Sequence, residues 1–279
     1  MRRNKLFAVL FGMALALSVN AQQTSGYAQV NGLKMYYETH GSGGTIPLVL
    51  IHGGGSTIES SFGNLLPLLS AHRTVIAMEL QAHGRTSDRD APESFRQDAD
   101  DVAALLAYLK VSKADFLGFS NGGETTLQIA LSHPELVHKI VMVSAPLQRD
   151  GFIPGFFEGI PKATLKDMPV LLREAYLKVA PDKSHLEVMF EKDRDRMIGF
   201  KGWSDDDIRS IKVPAMVMVS DHDVVTPEHA VRISRLMPDA RLVVMPGVHG
   251  SVIGESGAGP DGPKTAEATA ILVGMFFGE

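Results

Sequence analysis

Lys113-Ala114-Asp115-Phe116-Leu117 runs into Gly118-Phe119-Ser120-Asn121-Gly122, and Glu124-Thr125-Thr126-Leu127-Gln128-Ile129-Ala130-Leu131 follows. The first segment has the apolar lean of a buried strand. The last places Leu127, Ala130 and Leu131 at helical spacing. A G-x-S-x-G pentapeptide between a strand and a helix sets the serine on a very tight turn. Its flanking positions must be nearly free of side chains, hence the two Gly. The Ser120 hydroxyl then stands at the tip, with a helix N-terminus behind it whose N–H groups can hold a developing oxyanion. Alone, the pentapeptide also fits a Gly-rich turn that happens to contain a serine. The residues around it decide between the two.

Upstream, Tyr27 to Val30 and Leu33 to Thr39 flank Asn31-Gly32, a two-residue hairpin signal. Leu48-Val49-Leu50-Ile51 is a continuous apolar run suited to a strand buried on both faces. A helix is expected within 57–70, a strand over 74–79 and a helix over 94–110. Downstream, 139–143 reads as a buried strand. Strands at 215–219 and 242–245 follow, with helices over 227–236 and 262–277. Strands alternating with helices predict an α/β fold. Its sheet should be mostly parallel, with about eight strands and helices on both faces. Between 147 and 210 the alternation stops. Pro154, Pro161, Pro169 and Pro181 divide that region into short pieces, with helices expected over 170–179 and 184–196. It reads as a helical cap, with core segments at 22–146 and 211–279, over the strand ends where α/β ligand sites lie.

Arg2, Arg3 and Lys5 precede an apolar run from Leu6 to Val19, and Val19-Asn20-Ala21 offers a cleavage site. Residues 1–21 are expected to be a secretory signal peptide, too short and wrongly flanked to span a membrane. Export implies a periplasmic or secreted protein, and the short form of the signal suits a bacterium. Removal of three basic residues leaves 24 Lys and Arg against 32 Asp and Glu. That balance argues against nucleic-acid binding and against anionic membranes. There is no Cys, so neither a disulfide nor a lipid anchor on cysteine is available. The composition leaves the oligomeric state open.

A serine hydroxyl needs a general base, and the base needs an orienting acid. In this kind of fold the chain order is Ser, then Asp or Glu, then His. Asp223 closes Ser220-Asp221-His222-Asp223 after a strand, and His249 lies in Pro246-Gly247-Val248-His249-Gly250 after the last strand. His249 is the expected base. Asp223 is preferred as acid over Asp221, which is expected to tighten its loop through backbone hydrogen bonds. His52-Gly53-Gly54-Gly55 follows the strand at 48–51 and matches the HGGG pattern of oxyanion loops. The backbone N–H groups of Asn121 and Gly54 are the expected donors, with Gly55 as a substitute and His52 bracing the loop. In Glu79-Leu80-Gln81-Ala82-His83-Gly84-Arg85-Thr86, His83 and Arg85 are expected to fix a turn. Glu124 reads as a helix-surface or supporting group. Phe119 and Trp203 are possible pocket residues, Trp203 either packing the cap or lining the pocket.

These residues together make the chain resemble the α/β-hydrolase superfamily over about 27–277, most of all its capped esterase, lactonase and haloperoxidase-like branch. The resemblance rests on the loop at 52–55, Gly-Phe-Ser-Asn-Gly-Gly at 118–123, Asp223 and His249. It implies that Ser120, Asp223 and His249 form a triad. It also makes 79–86 the family's Asp-x-x-Gly-His-Gly-x-Ser segment, from which Glu79, Ala82 and Thr86 depart. The implied activity is cleavage of a small ester, thioester or lactone, with no metal or organic cofactor. C–C bond hydrolysis and perhydrolysis use the same triad, and a weakly catalytic ligand-binding protein is a further alternative.

Overall fold

The computed structural model describes residues 23–278. The signal-peptide segment lies outside them. Side-chain alternation along each strand sorts the core into two layers. Val49 and Ile51 join one apolar cluster and Leu48 and Leu50 the other. The same division recurs at Ile76 and Met78 against Val75 and Ala77, and at Ile140 and Met142 against Val141 and Val143. Strands buried on both faces must be apolar at every position, and these are.

The elements in chain order are β1 (Thr24–Val30), β2 (Leu33–His40), β3 (Leu48–Ile51), α1 (Ile58–Phe62), α2 (Leu66–Leu69), β4 (Val75–Met78), α3 (Phe95–Tyr108), β5 (Ala114–Phe119), α4 (Asn121–Ser132) and β6 (Val137–Val143). After β6 come α5 (Phe156–Gly159), α6 (Val170–Val179), α7 (Leu186–Gly199) and α8 (Asp205–Ser210). The chain closes with β7 (Ala215–His222), α9 (Pro227–Leu236), β8 (Ala240–Val248) and α10 (Gly262–Phe277). The sheet has eight strands in the order β1-β2-β4-β3-β5-β6-β7-β8. β1 and β2 are antiparallel, β2 runs antiparallel to β4, and the rest are parallel. Helices α3, α4 and α9 cover one face, and α1, α2 and α10 the other. The α/β fold is therefore as expected.

Two boundaries differ. The single helix expected over 57–70 is two short ones, interrupted at Gly63-Asn64. Asn64 turns its side chain to the Gly254 carbonyl at 2.7 Å instead of continuing the helix. The helix expected over 184–196 is displaced toward the C-terminus, because the Asp182 side chain caps a separate 3₁₀ turn at Ser184. Among the described residues, no helix is long and apolar enough to cross a membrane.

Candidate active site

Ser120 joins β5 to α4 with φ +50° and ψ −123°, a conformation that an L-residue adopts only when its surroundings force it. Here they do. A Cβ on Gly118 would lie 2.0 Å from the Gly122 carbonyl oxygen, and one on Gly122 would lie 2.0 Å from that of Ile51. Close approach of backbones, not flexibility, demands both glycines. The Ser120 N–H is tied to the Val143 carbonyl at 2.8 Å, so the turn is pinned to β6.

The loops after β7 and β8 meet this turn. His249 Nε2 lies 3.1 Å from Ser120 Oγ, and its Nδ1 lies 2.7 Å from Asp223 Oδ1. Desolvation opposes charge on His249, but the hydrogen bond and charge of Asp223 outweigh it and raise the imidazole pKa. Burial would raise Asp223 too. The His249 hydrogen bond and charge, with donors from Ser144 and Val225, hold it below the usual carboxylate range. Ser144 donates to Asp223 Oδ2 at 2.6 Å, and the Val225 N–H reaches Oδ1 at 3.2 Å. Asp223 therefore accepts the Nδ1 proton, which leaves Nε2 free to accept from the serine. Asp221 does not join this chain of hydrogen bonds. It accepts the Gly247 N–H at 2.8 Å.

The loop after β3 is braced from several sides. His52 Nε2 accepts the Leu80 N–H at 3.0 Å, so its Nδ1 carries the proton and donates to the Gly53 carbonyl at 2.7 Å. Burial, followed by the charge of His83, pushes the His52 pKa down to about 3, which keeps it neutral. Glu255 accepts hydroxyl protons from Ser56 at 2.8 Å and Ser61 at 3.2 Å, which links this loop to the one after His249. The Phe119 ring packs 4.9 Å from that of His249, centroid to centroid, and also abuts Gly53. Among the described residues, the N–H groups of Gly54 and Asn121 meet no acceptor. Gly55 is different, and as a substitute oxyanion donor it is corrected. Its N–H donates to Asp193 Oδ2 at 2.6 Å.

Asp193, on α7, is the residue that sequence reasoning missed. Besides Gly55 it accepts from His83 Nε2 at 3.0 Å, from Asn121 Nδ2 at 3.3 Å and from Arg196. Burial opposes charge on both His83 and Asp193, yet each stabilises the other. His83 is raised to about 9, and Asp193 is held well below the usual carboxylate range. Arg196 also reaches Asp98 at 2.8 Å. One charged side chain in the insert on α7 thus fastens the loop after β3 and the start of α4.

Residues between Pro146 and Met197 line a cavity of about 340 Å³ that also includes Ser120 and His249. Phe152, Phe156, Met168, Leu172, Met189 and Met197 are among the apolar residues that line it. Two alternatives that the sequence left open are decided here. Trp203 does not line this cavity. Its ring packs with Phe95 and Phe200, and its Nε1 donates to Gln128 at 3.0 Å, fixing the end of the insert to α4. Glu124 is no surface group. It is 0% exposed, because α7 covers that side of α4, and it lines the cavity. In the segment at 79–86, Glu79 is buried. It accepts from the Arg85 side chain at 2.7 Å and from the Arg85 N–H at 2.5 Å.

Comparison with known proteins agrees with this geometry. The profile of the α/β hydrolase fold family matches residues 46–178. A human protein described as serine hydrolase BPHL is 30% identical over 247 residues, which cover 83% of this chain and 81% of that one. The dihydrolipoyllysine-residue acetyltransferase component of the acetoin cleaving system of Pseudomonas putida is 29% identical over 236 residues, 78% of this chain. The chain spans 62% of that relative's length. Among solved structures, the enol-lactonase of Burkholderia xenovorans LB400 superposes with a TM-score of 0.71 at 22% identity. The match covers 91% of this chain and 100% of that one, and it is a likeness of fold. The chain belongs to the α/β-hydrolase family.

Proposed function

We propose that the protein is an exported serine hydrolase that cleaves a small carboxylic ester, thioester or lactone, with residues 1–21 as its export signal. The continuous hydrogen bonding from Asp223 through His249 to Ser120 carries this reading. His249 takes the hydroxyl proton as Ser120 Oγ attacks the carbonyl carbon. The N–H groups of Gly54 and Asn121 receive the oxyanion. Such a donor is worth about 2.7–4 kcal/mol in the transition state. His249 then protonates the leaving group, the acyl-enzyme forms, and water activated by the same imidazole releases the acid. Asp223 holds the imidazole tautomer throughout. Similarity to a protein described as a serine hydrolase supports the assignment.

A fluorophosphonate probe tests it. Wild-type protein should be labelled and Ser120→Ala should not, with the fold of both checked by thermal melting. Ester turnover should fall by several orders of magnitude in the variant, on the order of 10⁴-fold or more. Equal labelling or equal turnover of the two proteins would end the proposal. Absence of labelling in both, with a retained ligand, would favour a binding protein.

A further inference from the structure

The cavity beneath the insert holds one polar side chain without a role. Ser120 and His249 bond each other. Asn121 and Asp193 do the same at 3.3 Å. Asp167 accepts from the Thr164 N–H and hydroxyl at 2.8 and 2.9 Å, and Arg194 reaches Asp195 at 3.1 Å. Glu124 remains. It lines the same cavity, it is 0% exposed, and among the described residues neither of its carboxyl oxygens has a hydrogen-bond partner. An orphaned carboxyl group at that depth is destabilising unless a partner meets it. Nothing in the packing requires it, since an apolar side chain of similar length would fill the space among Met189, Phe190 and Met197.

We infer that Glu124 is a substrate contact: its carboxyl group hydrogen-bonds an acceptor oxygen carried on the acyl chain, near the scissile carbonyl. This rests on the reading of Ser120 as nucleophile. Glu124 lies in the first turn of α4, four residues after Ser120, and both line the same cavity. Helical side chains lean toward the N-terminus, which carries the Glu124 carboxyl toward Ser120. The charges that act on it are Arg196 and Asp193, on the side of the oxyanion loop. His249, which protonates the leaving group, comes from the loop after β8, so Glu124 on α4 is assigned to the acyl portion. Desolvation outweighs the charge of Arg196 and raises the Glu124 pKa, which favours the neutral, hydrogen-bond-donating form of the carboxyl group. The substrate is thus an otherwise apolar acyl ester bearing an ether, hydroxyl or ketone oxygen within a few bonds of the carbonyl.

Two esters of equal length test this: p-nitrophenyl 3-methoxypropanoate and p-nitrophenyl pentanoate, which differ by one oxygen in place of a methylene. The readout is the ratio of their kcat/KM values. Glu124→Leu should lower that ratio about fivefold to tenfold, chiefly by slowing the methoxy ester, whereas Glu124→Gln, which still donates, should keep it within about threefold. Glu124→Met gives the same reading where Leu fits poorly. An unchanged ratio in a folded Leu or Met variant overturns the inference. Turnover surviving in Ser120→Ala would instead overturn the nucleophile reading, so the two failures are separable.

Discussion

Asp193 and Glu124 face one cavity from opposite elements, α7 and α4, and both are buried. Their chemistry is opposite. Asp193 collects donors from Gly55, His83, Asn121 and Arg196, and its pKa is held down. Glu124 has no hydrogen-bond partner, and its pKa is pushed up. Burial is common to the two, so burial does not decide ionisation. Donor count does, because a carboxylate leaves water only when other N–H groups replace its hydration. The charged residue serves the architecture of the oxyanion loop. Glu124 is the group proposed to meet a ligand.

The largest effect should come from Asp193→Ala. Removal of the anion strands His83 as a buried cation and leaves Arg196 only Asp98 and Glu93, and about 3–5 kcal/mol of stability should be lost in denaturant titration. Fluorophosphonate labelling of Ser120 should slow as well, by about tenfold or more, because the loop carrying Gly54 loses its fastening. An unchanged denaturation midpoint would erase the contrast. Glu124→Leu should move the other way, by about 1–3 kcal/mol of added stability at neutral pH. The sign follows from linkage. The unfolded chain ionises at an ordinary carboxyl pKa while the folded group resists, so the gain over wild type should grow as pH rises above about 4.3.

The pH window of the other residue is distinct. His83 is raised to about 9, so its pairing with Asp193 is fully present below the usual imidazole range. That contribution should be lost as pH rises toward about 9, and His83→Gln should remove this part of the pH dependence. Melting curves from pH 6 to pH 10 would show it. The smallest effect concerns the base. The pKa of His249 is raised above the usual imidazole value, so kcat/KM should climb with pH through a midpoint above that value. A midpoint below it would mean that Asp223 does not govern the titration.

Most of the fold was legible in the sequence. The apolar runs at 48–51 and 140–143 read as strands buried on both faces and are so, and the Asn31-Gly32 turn has positive φ at both residues, as a two-residue hairpin requires. Helices capped by short-range signals also read well: Ser94 accepts from the Gln97 N–H at the start of α3, and Thr226 from the His229 N–H at the start of α9. The split of the helix expected over 57–70 was not legible, because Asn64 finds its carbonyl on Gly254, distant in the chain. In the insert, the irregular spacing of α6 and α7 carried too little periodicity to show which faces meet the core.

The sequence by itself determined the strand–turn–helix around Ser120 and the placement of Asp223 and His249 at strand ends. Those features follow from steric limits and periodicities that act over a few residues. Only the tertiary structure decided which polar groups are satisfied. Asp193 meets Gly55 across 138 positions and Asn121 across 72. Glu124 owes its isolation to the helix that covers it, and Trp203 its place to Phe95, Phe200 and Gln128. Solvation and pairing depend on what lies within a few ångströms in space, and no local pattern in the chain records that.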